Sequence, residues 1–160
     1  MMVQAARRLG AVAVLAGGAV HLQQYIVQNV WFYPAIGALF LLNVIGSGVV
    51  GLALLAPLDR VFSERLANAG LTVLTAIALL ISVASLVFLF ISESSSLFGF
   101  SESGYRTPVV LAIIAEGATI VLLTPVLIAS LARAFNRRSE PGAEQNGALG
   151  RRVVMLRPGK

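Results

Sequence analysis

The sequence contains no cysteine, a single histidine and little charge: only 12% of its 160 residues are charged. The absence of cysteine excludes disulfide bonds and thiolate-ligated metal sites. Soluble domains carry about 25% charged residues. Because 58% of this chain is hydrophobic, its few polar side chains cannot cover the surface of a soluble fold. The solvent of this protein must therefore be partly lipid.

The basic residues are not arranged for binding nucleic acid, although the formal net charge is +5. All of them except Arg106 lie in the first eight residues, in 57–65 or after residue 132. Membrane topology requires basic residues at the flanks of apolar runs, and no nucleic-acid readout motif accompanies them. The pattern indicates the lipid bilayer as the partner and no nucleic acid. Arginine far outnumbers lysine, which is typical of a GC-rich bacterial genome.

Four long apolar stretches predict an all-α fold, a bundle of four transmembrane helices. The hydrocarbon core of a bilayer is about 30 Å thick and takes about 20 apolar residues per helix. Each span must be helical because lipid cannot satisfy unpaired backbone groups. The aromatic run 31–33 and three prolines, Pro34, Pro57 and Pro108, mark boundaries. The predicted spans are residues 9–28, 35–56, 66–91 and 109–132.

The distribution of charge predicts the orientation. The loops between the first and second spans and between the third and fourth contain one basic residue, Arg106. By the positive-inside rule both termini are then cytoplasmic, in a multi-pass protein of the cell (plasma) membrane. We predict a transmembrane domain over 1–132. The remainder, 133–160, is predicted to be a basic, flexible cytoplasmic tail because it mixes proline, glycine and charge.

The first span has an alternative interpretation. Its beginning, MMVQAARRLGAVAVLAGGA, has the basic region, the apolar region and the small residues of a secretory signal peptide. Apolar character resumes from Tyr25 to Val30 and extends the segment to a full span, which favours a retained helix. Cleavage would instead leave three spans and a new N-terminus outside the cell.

Each predicted span carries polar residues at a similar depth. At ~1.5 Å per residue, the only histidine, an asparagine and a glutamate each lie roughly 10–12 Å below the outer ends of their spans. Small and polar residues recur around them at intervals of three and four, which places them on one helix face. We therefore predict an intramembrane polar cluster of His21, Asn43, Ser82 and Glu116, with Gln24, Tyr25, Ser85 and Thr119 as secondary members.

Glu116 is the most informative member of this cluster. An acidic side chain near the middle of a membrane costs about 2.5–3.5 kcal/mol on insertion scales, so it must be protonated or meet a cationic partner. No lysine or arginine lies at that depth in any span. His21 is the one titratable candidate that can carry a positive charge. We therefore expect His21 to meet Glu116, with Asn43 and the serines completing the hydrogen bonds.

Two functions from different classes remain open. The cluster is expected either to be a packing clasp in a structural or accessory membrane subunit, or to serve a small transporter or proton-linked ligand-binding protein through His21 and Glu116. An accessory subunit would act in a homodimer or a larger membrane complex. The segment SLFGF would dock such a partner or lie in the membrane interface. Four short spans leave little room for alternating access.

No cofactor, metal or catalytic residue is expected. Electron-transfer haem usually has two axial ligands, and this chain offers His21 alone and no methionine within a span, unless a symmetric dimer shares the histidine. Zinc needs three or four protein ligands, more than His21 and Glu116 supply. The only aspartate, Asp59, is predicted to be cytoplasmic, so no Ser-His-Asp arrangement forms. An enzymatic activity is therefore not expected.

The chain resembles a group of small four-span integral membrane proteins of high-GC Gram-positive bacteria, of uncharacterised function. The resemblance is carried by HL at 21–22, Tyr25, PAIGALFLLN at 34–43, LFGFSESGY at 97–105 and AEGA at 115–118. It covers most of 9–132 and not the tail, and YPAIG replaces the isoleucine-proline form that is more usual in the group. The resemblance implies a four-span fold and a role for His21, Asn43 and Glu116, but no activity.

Overall fold

The computed structural model describes residues 2–95 and 106–139, and within these ranges 93% of the residues are helical and none lies in a strand. The predicted tail from residue 140 onward, and the whole SLFGF segment at 96–100, lie outside the described residues. A short 3-10 helix, Val30–Phe32, joins the first two long helices. The five α-helices are α1 Met2–Val27, α2 Pro34–Leu55, α3 Leu58–Val61, α4 Glu64–Ser94 and α5 Thr107–Ser139.

Four of these helices, α1, α2, α4 and α5, are long and apolar enough to cross a membrane. Their surfaces confirm this class of protein, because large aliphatic side chains such as Val49, Val121 and Ile128 are well exposed outside the bundle. A soluble fold would bury such side chains to remove apolar area from water. The protein is therefore a multi-pass membrane protein with lipid as its surroundings, and its described residues form an all-helical bundle.

The helices extend beyond the predicted spans at most ends. Span one is predicted to begin at residue 9, whereas α1 begins at Met2, and α5 continues to Ser139 rather than ending at 132. Hydropathy marks only the part of a helix that lies in hydrocarbon. A helix satisfies its own backbone hydrogen bonds, so it continues into the polar interface. The predicted connection after Pro57 also contains a helical turn, α3.

The turn between α1 and α2 is built by its local sequence. Asn29 adopts the left-handed conformation (φ 53°, ψ 37°) that ends α1, and Asn tolerates this conformation better than most residues. Pro34 then occupies the first turn of α2, where its missing N–H is not needed. The ring of Trp31 packs against Tyr25 at 5.8 Å between centroids. We call this end of the bundle the aromatic end.

The helices pack in an uneven arrangement. Helix α1 packs closely against both α2 and α5, and α4 packs against α5, whereas α2 and α4 contact each other least among these neighbours. The apolar core lies where α1, α2, α4 and α5 meet, in the half of the bundle opposite the aromatic end, and includes Ala11, Val14, Leu54, Ala78, Leu123 and Val126. Nearer the aromatic end, α2 and α4 are less tightly joined.

The close approach of α1 and α2 depends on a glycine. A Cβ atom placed on Gly18 would lie 2.8 Å from the Cβ atom of Ser47, which is too short for a normal contact. Small residues allow helix backbones to approach in membranes, where van der Waals packing drives association. Gly18 and its neighbour Gly17 are both buried, as expected for an inward-facing stripe.

Candidate functional site

The middle of the bundle brings together polar side chains from three helices. The Nε2 atom of His21, on α1, lies 3.3 Å from Oε1 of Glu116 on α5. The same nitrogen is 2.9 Å from Oγ of Ser85 on α4, within hydrogen-bond distance. These three residues form a cluster that we call the His–Glu site.

The two titratable side chains of the His–Glu site are largely buried within the bundle. Glu116 is 3% exposed, and the side chain of His21 is 12% exposed. Ser82, which is also buried, lies beside the carboxyl group of Glu116 and interacts with it. Neutral hydroxyls and the imidazole therefore surround the acidic group, which meets the requirement that an intramembrane acid be paired.

From the sequence, Asn43 is expected to complete the hydrogen bonds of the His–Glu site. In the structure it does not. Its Oδ1 atom instead accepts a hydrogen bond of 3.1 Å from Ser47, one turn further along α2. Both residues belong to one helix, so this bond forms without any contact to α1 or α5. Asn43 still lines the same cavity as His21 and Glu116, and its amide N–H groups bond no residue in the described part of the chain.

The secondary members divide between the site and its surroundings. Ser85 bonds His21 directly, and Gln24 is buried and lines the cavity one turn along α1. The hydroxyl of Thr119 donates to the carbonyl of Ala115 within α5, which satisfies it locally. Tyr25 packs against Trp31 at the aromatic end, away from Glu116. Spacing along a helix predicts the face on which each of these residues lies but does not decide its partner.

The imidazole of His21 is held on more than one side. Phe40 of α2 meets the imidazole edge-to-face, with 5.2 Å between ring centroids, and the Nε2 atom is committed to Glu116 and Ser85. The Nδ1 atom is buried and has no hydrogen-bond partner within residues 2–95 and 106–139. An unpaired buried polar atom is unusual in a folded protein. One nitrogen of the site is therefore available to a further partner.

A cavity of about 440 Å³ lies against the His–Glu site, between α2 and α4. Its walls are mostly apolar side chains, such as Leu39, Ile81 and Leu89, and the few polar groups on them include His21, Asn43 and Glu116. Pockets that hold one small molecule have volumes of ~300–1,000 Å³ and this combination of apolar walls and few polar groups. The loose contact between α2 and α4 creates this space.

Sequence reasoning missed Phe40 and the apolar cavity walls. A signal for Phe40 exists, because it lies three residues before Asn43 and four after Ile36, on the face of α2 that lines the cavity. An apolar residue in a span is ordinarily assigned to lipid or packing, so this spacing alone does not identify a pocket.

The described residues do not assemble a metal site, since no three His, Asp or Glu side chains among them gather within reach of one ion. His21 and Glu116 offer two ligands, fewer than zinc sites use.

A comparison with known proteins finds no match among family models, curated proteins or solved structures.

Proposed function

We propose that the protein lies in the plasma membrane of a bacterium with both termini in the cytoplasm. The basic residues support this orientation, because all of them except Arg106 lie at the end of the bundle opposite the aromatic end or in the tail. The aromatic end then faces outward. The His–Glu site lies below that surface, within the hydrocarbon.

We further propose that the protein binds a small molecule in the cavity between α2 and α4, and that the His–Glu site anchors its polar group. One observation carries this proposal: the two titratable side chains of the cavity wall, His21 and Glu116, meet each other beside an apolar space of about 440 Å³. A site used only for packing does not need such a space, because close packing in membranes gives helices their stability.

Binding is proposed to be linked to a proton. The groups that face His21 and Glu116 from α2 and α4 are uncharged: Phe40, Asn43, Ser82 and Ser85. When His21 and Glu116 hold one titratable proton between them, the pair has no net charge, either as imidazolium and carboxylate or as imidazole and carboxylic acid. Loss of its proton leaves an uncompensated negative charge in hydrocarbon, which is unfavourable. A ligand that needs the protonated pair will bind less well as the pH rises.

A matched pair of glycine variants tests binding. Gly46 lines the cavity, and a Cβ atom there would lie 3.0 Å from Cδ1 of Ile81, so Gly46→Leu places atoms in the space. Gly48 on the same helix has no atom within 4 Å of an added Cβ, so Gly48→Leu is the control. Each purified protein is incubated with a total lipid extract of bacterial membranes and its retained molecules are measured by native mass spectrometry.

We expect the wild type and Gly48→Leu to retain a small molecule and Gly46→Leu to lose most of it. Equal retention by both variants, or no retention by the wild type, would contradict the proposal.

Glu116→Gln tests the proton linkage, because the glutamine amide donates to Nε2 of His21 without titrating. This variant should retain the molecule equally at pH 6 and pH 9, whereas the wild type should lose it at pH 9.

A second candidate is a structural clasp in an accessory membrane subunit. The observation that favours it is that His21, Ser85 and Glu116 join α1, α4 and α5 through one nitrogen atom. Such interhelical hydrogen bonds are worth about 0.6–2 kcal/mol each. If the clasp is the whole role, the wild type and Glu116→Gln will be equally stable and neither will retain a small molecule.

A further inference from the structure

The cavity between α2 and α4 opens toward the lipid. Leu42 of α2 and Leu80 of α4 both line it, and each residue is 68% exposed. These two residues therefore belong to the cavity wall and to the membrane-facing surface at the same time. A molecule dissolved in the bilayer reaches the His–Glu site through this opening without crossing water. Such a molecule must have a largely apolar body.

Two side chains of the cavity wall, His21 and Asn43, present donors that no described residue satisfies. Charge neutrality in hydrocarbon favours the states in which the pair holds its proton. In the imidazolium–carboxylate state, Nε2 donates to Glu116 and Nδ1 carries the second N–H. Nδ1 also carries an N–H when a protonated Glu116 donates to Nε2. This Nδ1 has no hydrogen-bond partner among the described residues.

Asn43 supplies a second open donor. Its Oδ1 atom is occupied by the hydroxyl of Ser47. An asparagine amide has two N–H groups, and those of Asn43 bond no residue in the described part of the chain. Two donors on one apolar wall complement an oxygen atom with lone pairs and no hydrogen, such as a carbonyl oxygen. A buried donor without such an acceptor is unfavourable by about 1–3 kcal/mol.

We propose that the ligand is a neutral, largely apolar molecule with a carbonyl oxygen at its polar end, taken up sideways from the bilayer and bound by Nδ1–H of His21 and the amide of Asn43. This inference rests on the proposed function and specifies its ligand class. A cationic ligand fits less well, because Glu116, the one acidic residue that lines the cavity, is 3% exposed and already interacts with His21, Ser82 and Ser85.

His21 is the only histidine of the chain, so labelling with ¹⁵N-histidine places the whole signal in the site. The labelled protein in lipid nanodiscs is titrated with four probes: 2-heptadecanone, the quinone menadione, hexadecane and hexadecyltrimethylammonium. The ketone and quinone distinguish two sources of the same carbonyl chemistry. We expect at least one of them to shift the Nδ1 resonance saturably and hexadecane and the cation to leave it unchanged.

Two variants test whether the shift arises from the proposed contacts. Asn43→Leu removes one donor and should weaken binding of the active probe roughly 3- to 10-fold, the effect of one hydrogen bond. Thr124→Val is the control, because the Thr124 hydroxyl bonds the carbonyl of Ile120 and is not part of the cavity wall. It should bind like the wild type.

Each other outcome overturns a different claim. A saturable shift with the cation and none with the carbonyl probes would overturn the ligand class and leave the proposed function intact. Binding of a carbonyl probe, detected by native mass spectrometry, without a change at Nδ1 would overturn the assigned contact. If none of the probes shifts Nδ1 and the wild type also retains nothing from the membrane lipid extract, the proposed function itself fails.

Discussion

Gly17 and Glu116 lie so close that a Cβ atom on Gly17 would lie 3.3 Å from Oε1 of the glutamate. The glycine therefore provides the room in which the carboxyl group of α5 reaches α1. His21 follows one helical turn later on the same face, and its Nε2 atom meets the same oxygen at 3.3 Å. The absence of a side chain at residue 17 is as much a part of the His–Glu site as the imidazole.

Gly17→Val should weaken the bundle by roughly 1–3 kcal/mol, since the added methyl groups overpack the contact with Glu116. The measurement is the free energy of unfolding in an SDS titration from mixed micelles. Gly48→Val is the control, because it carries the same change in helix propensity and a Cβ atom added at Gly48 has no atom within 4 Å. Equal losses in the two variants would show that space beside Glu116 is not limiting.

Ser85→Ala should destabilise the protein by about 0.6–1.5 kcal/mol, because it removes an interhelical hydrogen bond. That bond joins Oγ of Ser85 to Nε2 of His21 at 2.9 Å. Ser94→Ala is the comparison, since Ser94 is exposed and bonds only the carbonyl of Ile91 in its own helix. The ¹⁵N spectrum of His21 should change in Ser85→Ala and stay constant in Ser94→Ala. A constant spectrum in both would count against the bond.

Asn68→Leu should loosen the end of the bundle opposite the aromatic end. The Asn68 amide donates to the carbonyl of Ser130 at 3.1 Å and accepts from Nε of Arg133 at 3.1 Å, so it ties α4 to α5. We expect a loss of about 1 kcal/mol per broken bond in the same SDS titration.

The control for this change is Asn136→Leu, which places the same residue on an exposed position of α5. The spectrum of His21 should not respond to Asn68→Leu, because the two residues lie in opposite halves of the bundle. A large change at His21 would show that the two halves are coupled.

The orientation can be tested with single cysteines because the chain has none of its own. Asn29→Cys lies at the aromatic end and Ser63→Cys lies in the connection between α3 and α4, and both positions are exposed. With cytoplasmic termini, a membrane-impermeant maleimide should label Asn29→Cys in intact cells and Ser63→Cys only after the membrane is opened. The reverse pattern would invert the topology.

The sequence was sufficient to predict the four apolar helices and the shared level of His21, Ser85 and Glu116 along them. Hydropathy over about 20 residues is a direct physical requirement of the hydrocarbon core, and the constant rise of a helix converts sequence position into depth. The expected meeting of His21 and Glu116 follows from the same reasoning, because the chain has one acid and one base at that level. Spacing could not predict that Asn43 bonds Ser47 instead of the pair.

The sequence by itself determined which segments are apolar enough to cross a membrane, since that depends on the transfer of each residue from water to lipid. Only the tertiary structure decided where the cavity lies, which wall Phe40 and Asn43 belong to, and that Nδ1 of His21 is left without a partner in the described residues. The reason is that helix periodicity specifies a face and a height, whereas the distance between two helices depends on how all of their side chains pack together.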